Sequence, residues 1–405
     1  MIKNDIETLR VQNVRKLVHS LRLNGPIARI DLGAASGLSA ATVTAITARL
    51  LADGLIVENL EDSVRTGGKG RPKTLIDLNP KAGYVICARL SINELQLVVG
   101  DFKGRIVDSE VHHPNTLMLN EQSLLELLKE HIQALRQRAD TLYRRFLGIC
   151  VIVQGIVGGQ RDHIVWSPAV ACRNAPIGQP LAAQFGCPVV LENDSNCIGK
   201  ALMTKPEFRG LKNMVVIMLG YGVGMAVFID GRLYTGSSGS TAEFGHTKYQ
   251  PDGPLCACGK RGCIEAYVSD YALYRDARAV LALPEADNFY PTEEQMQVLT
   301  RYARNGNLLA RDLFDQAGRV LGVGLANVIA LFNPELVVVT GVGVRGYAFM
   351  EAAIQTKLAE VLVRELIGRT RIRSCPWDDD LTGLGGIATA IEAAEPPWEP
   401  EAGGA

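Results

Sequence analysis

No stretch of this 405-residue chain stays apolar for the roughly 18 residues that a bilayer crossing needs. Its first residues, Met1-Ile2-Lys3-Asn4-Asp5-Ile6, lack the apolar core and small-residue cleavage site of a secretory signal. Both absences predict a cytoplasmic chain with no membrane partner. Net charge is nearly missing as well: 42 Lys and Arg stand against 43 Asp and Glu, so the whole-chain balance points to no polyanionic partner. Nor is the cysteine count even. Nine cysteines without a signal exclude a disulfide framework and fit a reducing compartment, with Cys87, Cys150, Cys172, Cys187, Cys197 and Cys375 expected as buried thiols. The end rich in Pro, Glu and Gly, residues 391–405, is expected to be a disordered tail.

What is present is charge in uneven places. Residues 1–79 hold 11 Lys and Arg against 8 Asp and Glu, net +3, and the remainder holds 31 against 35, net −4. Arg65, Lys69, Arg71 and Lys73 fall within nine residues. A basic end is a reason to look there for a nucleic-acid module. Ile6, Leu9, Val14, Leu17, Val18 and Leu21 recur at helical spacing from Asp5 to Leu23, and Asn24-Gly25-Pro26 ends that helix. A second helix is expected over Arg29–Ala35 with Ile30 and Leu32 inward, then a tight turn at Ser36-Gly37-Leu38. Ser39 caps a third helix. Val43, Ile46, Leu50 and Leu51 form its inner stripe, and Ala40, Ala41, Thr42, Thr44, Ala45 and Thr47 its small, hydroxyl-bearing outer face. Strands at Leu55–Glu58 and Thr74–Leu78 flank the basic, glycine-rich stretch Arg65–Lys73.

Helix, turn, helix and basic wing in this order predict a winged helix-turn-helix over residues 1–80, with double-stranded operator DNA as partner. Ser39, Ala40, Thr42 and Thr44 would approach the groove. Arg71 would reach a minor groove, and Lys69 and Lys73 would sit on phosphates.

Beyond residue 80 strands alternate with helices. Tyr84–Leu90, Leu95–Asp101 and Arg105–His112 read as three strands, followed by a helix over Glu121–Tyr143 and strands at Leu147–Val153 and Val189–Glu192. A second triplet follows at Asn213–Leu219, Gly224–Ile229 and Arg232–Tyr234. Helices Leu308–Leu331 and Phe349–Arg364 then flank a strand at Leu336–Thr340. The pattern predicts two α/β lobes, 81–195 and 196–390, with a cleft between them.

His246, Cys256, Cys258 and Cys263 lie close together on a glycine-rich segment. Three thiolates and one imidazole suit tetrahedral Zn²⁺, and four protein ligands leave no position for water, so one structural zinc per chain is expected. Glu243 lies three residues before His246, Glu265 two after Cys263, and Asn193-Asp194 ends a buried strand. Carboxylates and an amide gathered at a cleft suit sugar hydroxyls, which both donate and accept.

Cys256-Ala257-Cys258-Gly259-x-x-Gly262-Cys263-x-Glu265, preceded by Glu243-Phe244-Gly245-His246 and Glu192-Asn193-Asp194, resembles the signature of the ROK family of sugar kinases and repressors. With its N-terminal helix-turn-helix and the Gly-Arg-Pro that ends it, the chain is similar to the repressor branch that controls xylose, N-acetylglucosamine and glucose-transporter genes. The resemblance implies an actin-like, ribonuclease-H-like two-lobed ATPase fold, with the zinc loop and dimerisation helices in the second lobe. It implies a sugar or sugar-phosphate effector held by Asn193, Asp194, Glu243, His246 and Glu265, and a homodimer or tetramer. His246 would serve both sites, one ring nitrogen for each.

In the kinases the aspartate matching Asp194 is the base; here it is expected as a vestige, with no catalytic residue. The family's Asp-x-Gly-Gly-Thr phosphate loop is replaced by Arg89-Leu90-Ser91-Ile92-Asn93, and its Leu-Gly-Thr-Gly loop by Leu219-Gly220-Tyr221-Gly222. Its Gly-x-Pro-Gly segment beside the sugar is replaced by Gln154-Gly155-Ile156-Val157-Gly158, in which Gly155 still permits close approach. A sugar-released repressor is therefore the expected function. A ROK sugar kinase, or a repressor sequestered by a phosphotransferase protein, is the alternative.

Overall fold

The computed structural model describes residues 2–59, 74–239, 242–284 and 289–394, with the side chains of 2–7 and 59 left aside. Lys69, Arg71 and Lys73 thus lie outside the described residues, as do 395–405. In chain order the elements are α1 (Ile2–Asn24), β1 (Ile27–Ala28), α2 (Arg29–Ser36), α3 (Ala40–Ala52), β2 (Ile56–Asn59), β3 (Leu75–Leu78), β4 (Tyr84–Ser91), β5 (Glu94–Asp101), β6 (Ile106–His112), α4 (Glu121–Ala139), β7 (Phe146–Val153), β8 (Ile156–Val157), β9 (Ile164–Trp166), α5 (Gly178–Phe185) and β10 (Val189–Asn193). There follow α6 (Asp194–Thr204), β11 (Met214–Leu219), β12 (Val223–Ile229), β13 (Arg232–Leu233), α7 (Glu265–Val268), α8 (Asp270–Val280), α9 (Glu293–Arg304), α10 (Leu308–Phe332), β14 (Leu336–Thr340), α11 (Tyr347–Val361), β15 (Arg371–Ser374) and α12 (Asp380–Ala394).

The chain divides into two units, 1–153 with 161–192 and 383–405, and 154–160 with 193–382. All but the first three residues of α12, expected in the second lobe up to residue 390, therefore belong to the first unit. Its end, 391–394, is helix where a tail was expected.

In the first unit, α1 to α3 stand on a three-stranded sheet of order β1-β3-β2. Val14, Leu17, Val18 and Leu21 make the buried stripe of α1. Leu9 is 58% exposed, because five residues before Val14 it lies about 140° around the helix. Helices α2 and α3 meet at a bend of 113°, and Gly37 between them takes φ 68°, as the tight turn requires. Leu32 is buried but Ile30 is exposed, correcting the expectation for α2: two residues apart, they lie about 160° apart on the helix and cannot share a face. Thr47 is another correction. With Val43, Ile46 and Leu50 it completes the inner stripe of α3, and its hydroxyl donates to Val43 O at 2.8 Å, so it is buried and satisfied.

A five-stranded sheet of order β10-β7-β4-β5-β6 forms the rest of this unit, β4 parallel to β7 and antiparallel to β5. Asp77 on β3, 8% exposed, accepts from Lys103 Nζ at 2.5 Å, tying the helical head to the β5–β6 turn. The second unit holds the sheet β13-β12-β11-β14-β15, with β14 parallel to β11 and β15. Its core joins Val215, Ile217, Val337 and Val339 of that sheet to Phe314, Leu321 and Leu325 of α10 and to Met350 and Ile354 of α11. Helices α5, α6, α8, α9 and α12 and strand β15 were not among the elements expected from the sequence, although α8 and α9 are strongly amphipathic. Among the described residues no single helix is long and apolar enough to cross a membrane. Cys172 and Cys187 are half-buried, not buried; the other four scattered thiols are buried.

Candidate functional site

The segment after β13 folds back on itself through turns that only its glycines permit. Cys256 N donates to Lys260 O (2.8 Å) and Gly259 N to Cys256 O (2.9 Å). Gly262, at φ 72°, brings its backbone so close to Gln250 that a Cβ there would stand 1.6 Å from Gln250 O. The result brings one ligand atom each from His246, Cys256, Cys258 and Cys263 within 4.8 Å of one another. His246 Nδ1 is 3.6 Å from Cys256 Sγ, and Cys258 Sγ is 3.8 Å from Cys263 Sγ. Tetrahedral Zn²⁺, with bonds of about 2.3 Å to sulfur and about 2.1 Å to nitrogen, requires edges of about 3.6 Å and about 3.8 Å. The four side chains fit a metal of that size. Lys248 Nζ donates to Cys263 Sγ at 2.9 Å, a cation set against the cysteine cluster.

His246 Nε2 faces the opposite way, 3.9 Å from Glu243 Oε2. The Glu243 carboxyl is half-buried. Burial pushes its pKa up, His246 opposes this, and the charges of Asp194 and Glu265 add to the rise. Asp194 is 4% exposed at the start of α6, where its Oδ1 accepts from Ser195 N at 2.8 Å. Asn193 caps that helix: its side-chain oxygen accepts from Ser195 N and Asn196 N, and its Nδ2 donates to Gly155 O at 2.9 Å. Gly155 stands at φ 111°, a conformation suited to glycine. Asn193, Asp194, Gly155, Glu243, His246 and Glu265 all belong to the second unit.

Glu265 is buried as well, 6% exposed. Its Oε2 accepts from Val223 N (3.1 Å), and its Oε1 lies 3.3 Å from Cys256 Sγ and accepts from Tyr271 OH at 3.4 Å. It therefore ties the cysteine loop to the start of β12. Lys248 and Tyr271 were not anticipated from the sequence. Lys248 sits two residues after His246, where a basic residue near the cysteines could have been sought; Tyr271 lies on α8, whose amphipathic spacing was the signal that could have placed it.

Two loops that the resemblance assigns to phosphates are also placed. Asn93, in the turn after β4, donates its amide to Thr116 Oγ1 (2.8 Å), and that hydroxyl donates on to Ser91 O. Gly220 N donates to Gly222 O at 3.0 Å, and the Tyr221 ring meets Tyr290 edge-on. On the head, Ser39 Oγ accepts from Thr42 N at the start of α3. Ser39, Ala40 and Thr44 are exposed and Thr42 is half-buried, all at the N-terminal end of that helix.

A mixed α/β chain with a built Cys₃His cluster beside a carboxylate, imidazole and amide group belongs to the class of sugar-kinase-like folds. The ROK family model matches residues 85–392, and the chain belongs to that family. It is 25% identical over 343 residues to the xylose repressor of Caldicellulosiruptor bescii, covering 84% of each chain. To the DNA-binding transcriptional repressor Mlc of Escherichia coli K12 it is 26% identical over 335 residues, 82% of each. Among solved structures, a ROK family transcriptional regulator described as a homologue of Escherichia coli Mlc matches with TM-score 0.77 and 24% identity, over 94% of this chain and 97% of that one. A ROK glucokinase from Streptomyces griseus, in complex with glucose and AMPPNP, matches with TM-score 0.63 and 24% identity, over 76% of this chain and all of the other. At those identities the structural likeness shows the fold.

Proposed function

We propose that this chain is a sugar-responsive transcriptional regulator, a repressor of carbohydrate uptake or catabolism genes that leaves its operator when a sugar or sugar derivative binds. One observation carries the reading: a ROK chain joins a helical head, whose α3 exposes small and hydroxyl-bearing residues, to a group of carboxylates, an imidazole and an amide behind a Cys₃His cluster. The relatives named as repressors support it. In this reading residues 1–80 are a winged helix-turn-helix. Ser39, Ala40, Thr42 and Thr44 enter the major groove, Arg71 a minor groove, and Lys69 and Lys73 contact phosphates. Two heads on a pseudo-palindromic operator make a homodimer or a tetramer in the cytoplasm.

Residues 81–153 with 161–192 and 383–390, and residues 154–160 with 193–382, are then the two lobes of an actin-like fold. His246, Cys256, Cys258 and Cys263 hold one structural zinc per chain, which supplies rigidity and no reaction. Asn193, Asp194, Glu243, Glu265 and His246 Nε2 bind the sugar, with Gly155 admitting it closely. Kinase activity is absent in this reading. The Asn93 amide, which a phosphate loop would aim at ATP, is taken by Thr116, and Tyr221 puts a ring where the kinases have a small hydroxyl.

The test selects duplex DNA from a random pool with the full chain. It then challenges the complex with D-xylose, D-glucose, N-acetyl-D-glucosamine and the 6-phosphates of the latter two. One sugar is expected to release the DNA and raise the melting temperature of the free protein, with no ADP formed from ATP. Failure to enrich any duplex, or sugar-dependent ADP formation, overturns the reading.

A further inference from the structure

A second group of ligating side chains lies in the first unit and takes no part in the function above. Strand β6 is the edge of its sheet, and Glu110 and His112, two residues apart, share one face of it. Helix α4 brings His131 to that face. The His112 and His131 rings have centroids 3.9 Å apart and are inclined by 38°, and His112 Nε2 stands 3.1 Å from Glu110 Oε1. One ligand atom from each of the three lies within 4.8 Å of the other two. All three residues are half-buried, which leaves room for water on the open side.

Arg138, one helical stretch further along α4, fixes the carboxylate. Its guanidinium donates to Glu110 Oε2 at 2.5 Å and lies 3.5 Å from Asp108, so Glu110 Oε1 remains directed at the histidines. Each imidazole can offer one nitrogen lone pair to a metal. Metal–ligand bonds of about 2.0–2.2 Å place neighbouring ligand atoms about 3–3.5 Å apart. The Glu110–His112 pair already meets that spacing, and rotation of the half-exposed His131 side chain by about an ångström closes the third corner.

We infer that Glu110, His112 and His131 form a second metal site, selective for borderline divalent transition ions such as Zn²⁺, Ni²⁺ or Cu²⁺, with water in its remaining positions. Two nitrogens and one carboxylate oxygen suit those ions better than Mg²⁺ or Ca²⁺, which take oxygen sets. Occupation clamps edge strand β6 to α4. The site is open and sulfur-free, in contrast to the closed Cys₃His cluster of the second unit, and the two are separable by spectroscopy.

The experiment titrates the untagged, reduced, metal-stripped full chain with Co²⁺, following absorbance and bound metal by atomic emission. The cysteine cluster produces intense thiolate-to-cobalt charge transfer in the near ultraviolet, and the Glu/His₂ site only weak visible bands. About two equivalents per chain are expected for the unaltered protein and about one for His131→Ala, with charge transfer at full strength in both. Full charge transfer reports that the variant remains folded at the cysteine loop, and Glu110→Gln serves as a second, near-isosteric variant expected to behave the same way. Saturation of the unaltered chain at about one equivalent, or two equivalents retained by both variants, overturns the assignment.

Discussion

Gly262 and Gly259 sit in one loop with similar backbone angles, φ 72° and φ 81°, yet their surroundings differ. A Cβ at Gly259 meets nothing within 4 Å; one at Gly262 strikes Gln250 O. Gly259→Ala should therefore cost only the left-handed strain, about 1–2 kcal/mol. Gly262→Ala adds a backbone clash that must move the loop, so it should cost more than about 3 kcal/mol and also lower bound metal. Denaturant unfolding together with metal content checks the pair; equal losses would mean that strain, not close approach, governs this loop. Asp194 offers a second contrast at this scale. It is buried at the head of α6, but the cap is Asn193, so Asp194→Asn should fold normally and yet lose the response to sugar. Operator affinity in the presence and absence of the releasing sugar measures this, and an intact response would remove Asp194 from the sugar site.

At the scale of elements, α3 is a helix with one face packed and one face bare. Val43, Ile46, Thr47 and Leu50 fill the packed side, and Ala41, Thr44, Ala45 and Ala48 the exposed side. A carboxylate on the bare face touches nothing in the protein but would confront DNA phosphates. Ala41→Glu is thus expected to leave the melting temperature within about a degree, and to weaken operator binding at least tenfold at moderate salt. Fluorescence anisotropy on the selected duplex decides it. Most of α3 was legible from the 3.6-residue period, and β4, β5 and β7 from their long apolar runs. Thr47 was misassigned because residue type was read before position: a hydroxyl that can bond its own helix is indifferent to which face it occupies. Helix α6 was not legible, since buried polar residues interrupt its apolar pattern, Asp194, Ser195 and Asn196 all being enclosed by tertiary structure; α8, by contrast, carries a legible amphipathic spacing. The clustering of His246 with Cys256, Cys258 and Cys263 was plain from spacing. Their neighbours Lys248 and Tyr271 were not, because they join the site only through folding.

At the scale of the whole molecule, the proposed DNA face and the proposed sugar site belong to different units of the chain, so any effect of one on the other is a coupling free energy. Such coupling is reciprocal. If the sugar lowers operator affinity by some factor, saturating operator must lower sugar affinity by that same factor, and couplings of this kind run from about 5-fold to about 150-fold. The sugar dissociation constant should therefore rise by the factor measured for DNA release when it is determined on the protein–operator complex, for example by calorimetry with the selected duplex in excess. Ser39→Ala sharpens the experiment. Loss of that cap removes about 1 kcal/mol from the start of α3 without touching the second unit, so sugar affinity of the free protein should not change. A sugar that binds equally well with and without operator shifts nothing, however tightly it binds. That result would separate sugar recognition from regulation and leave release of the operator to a protein partner.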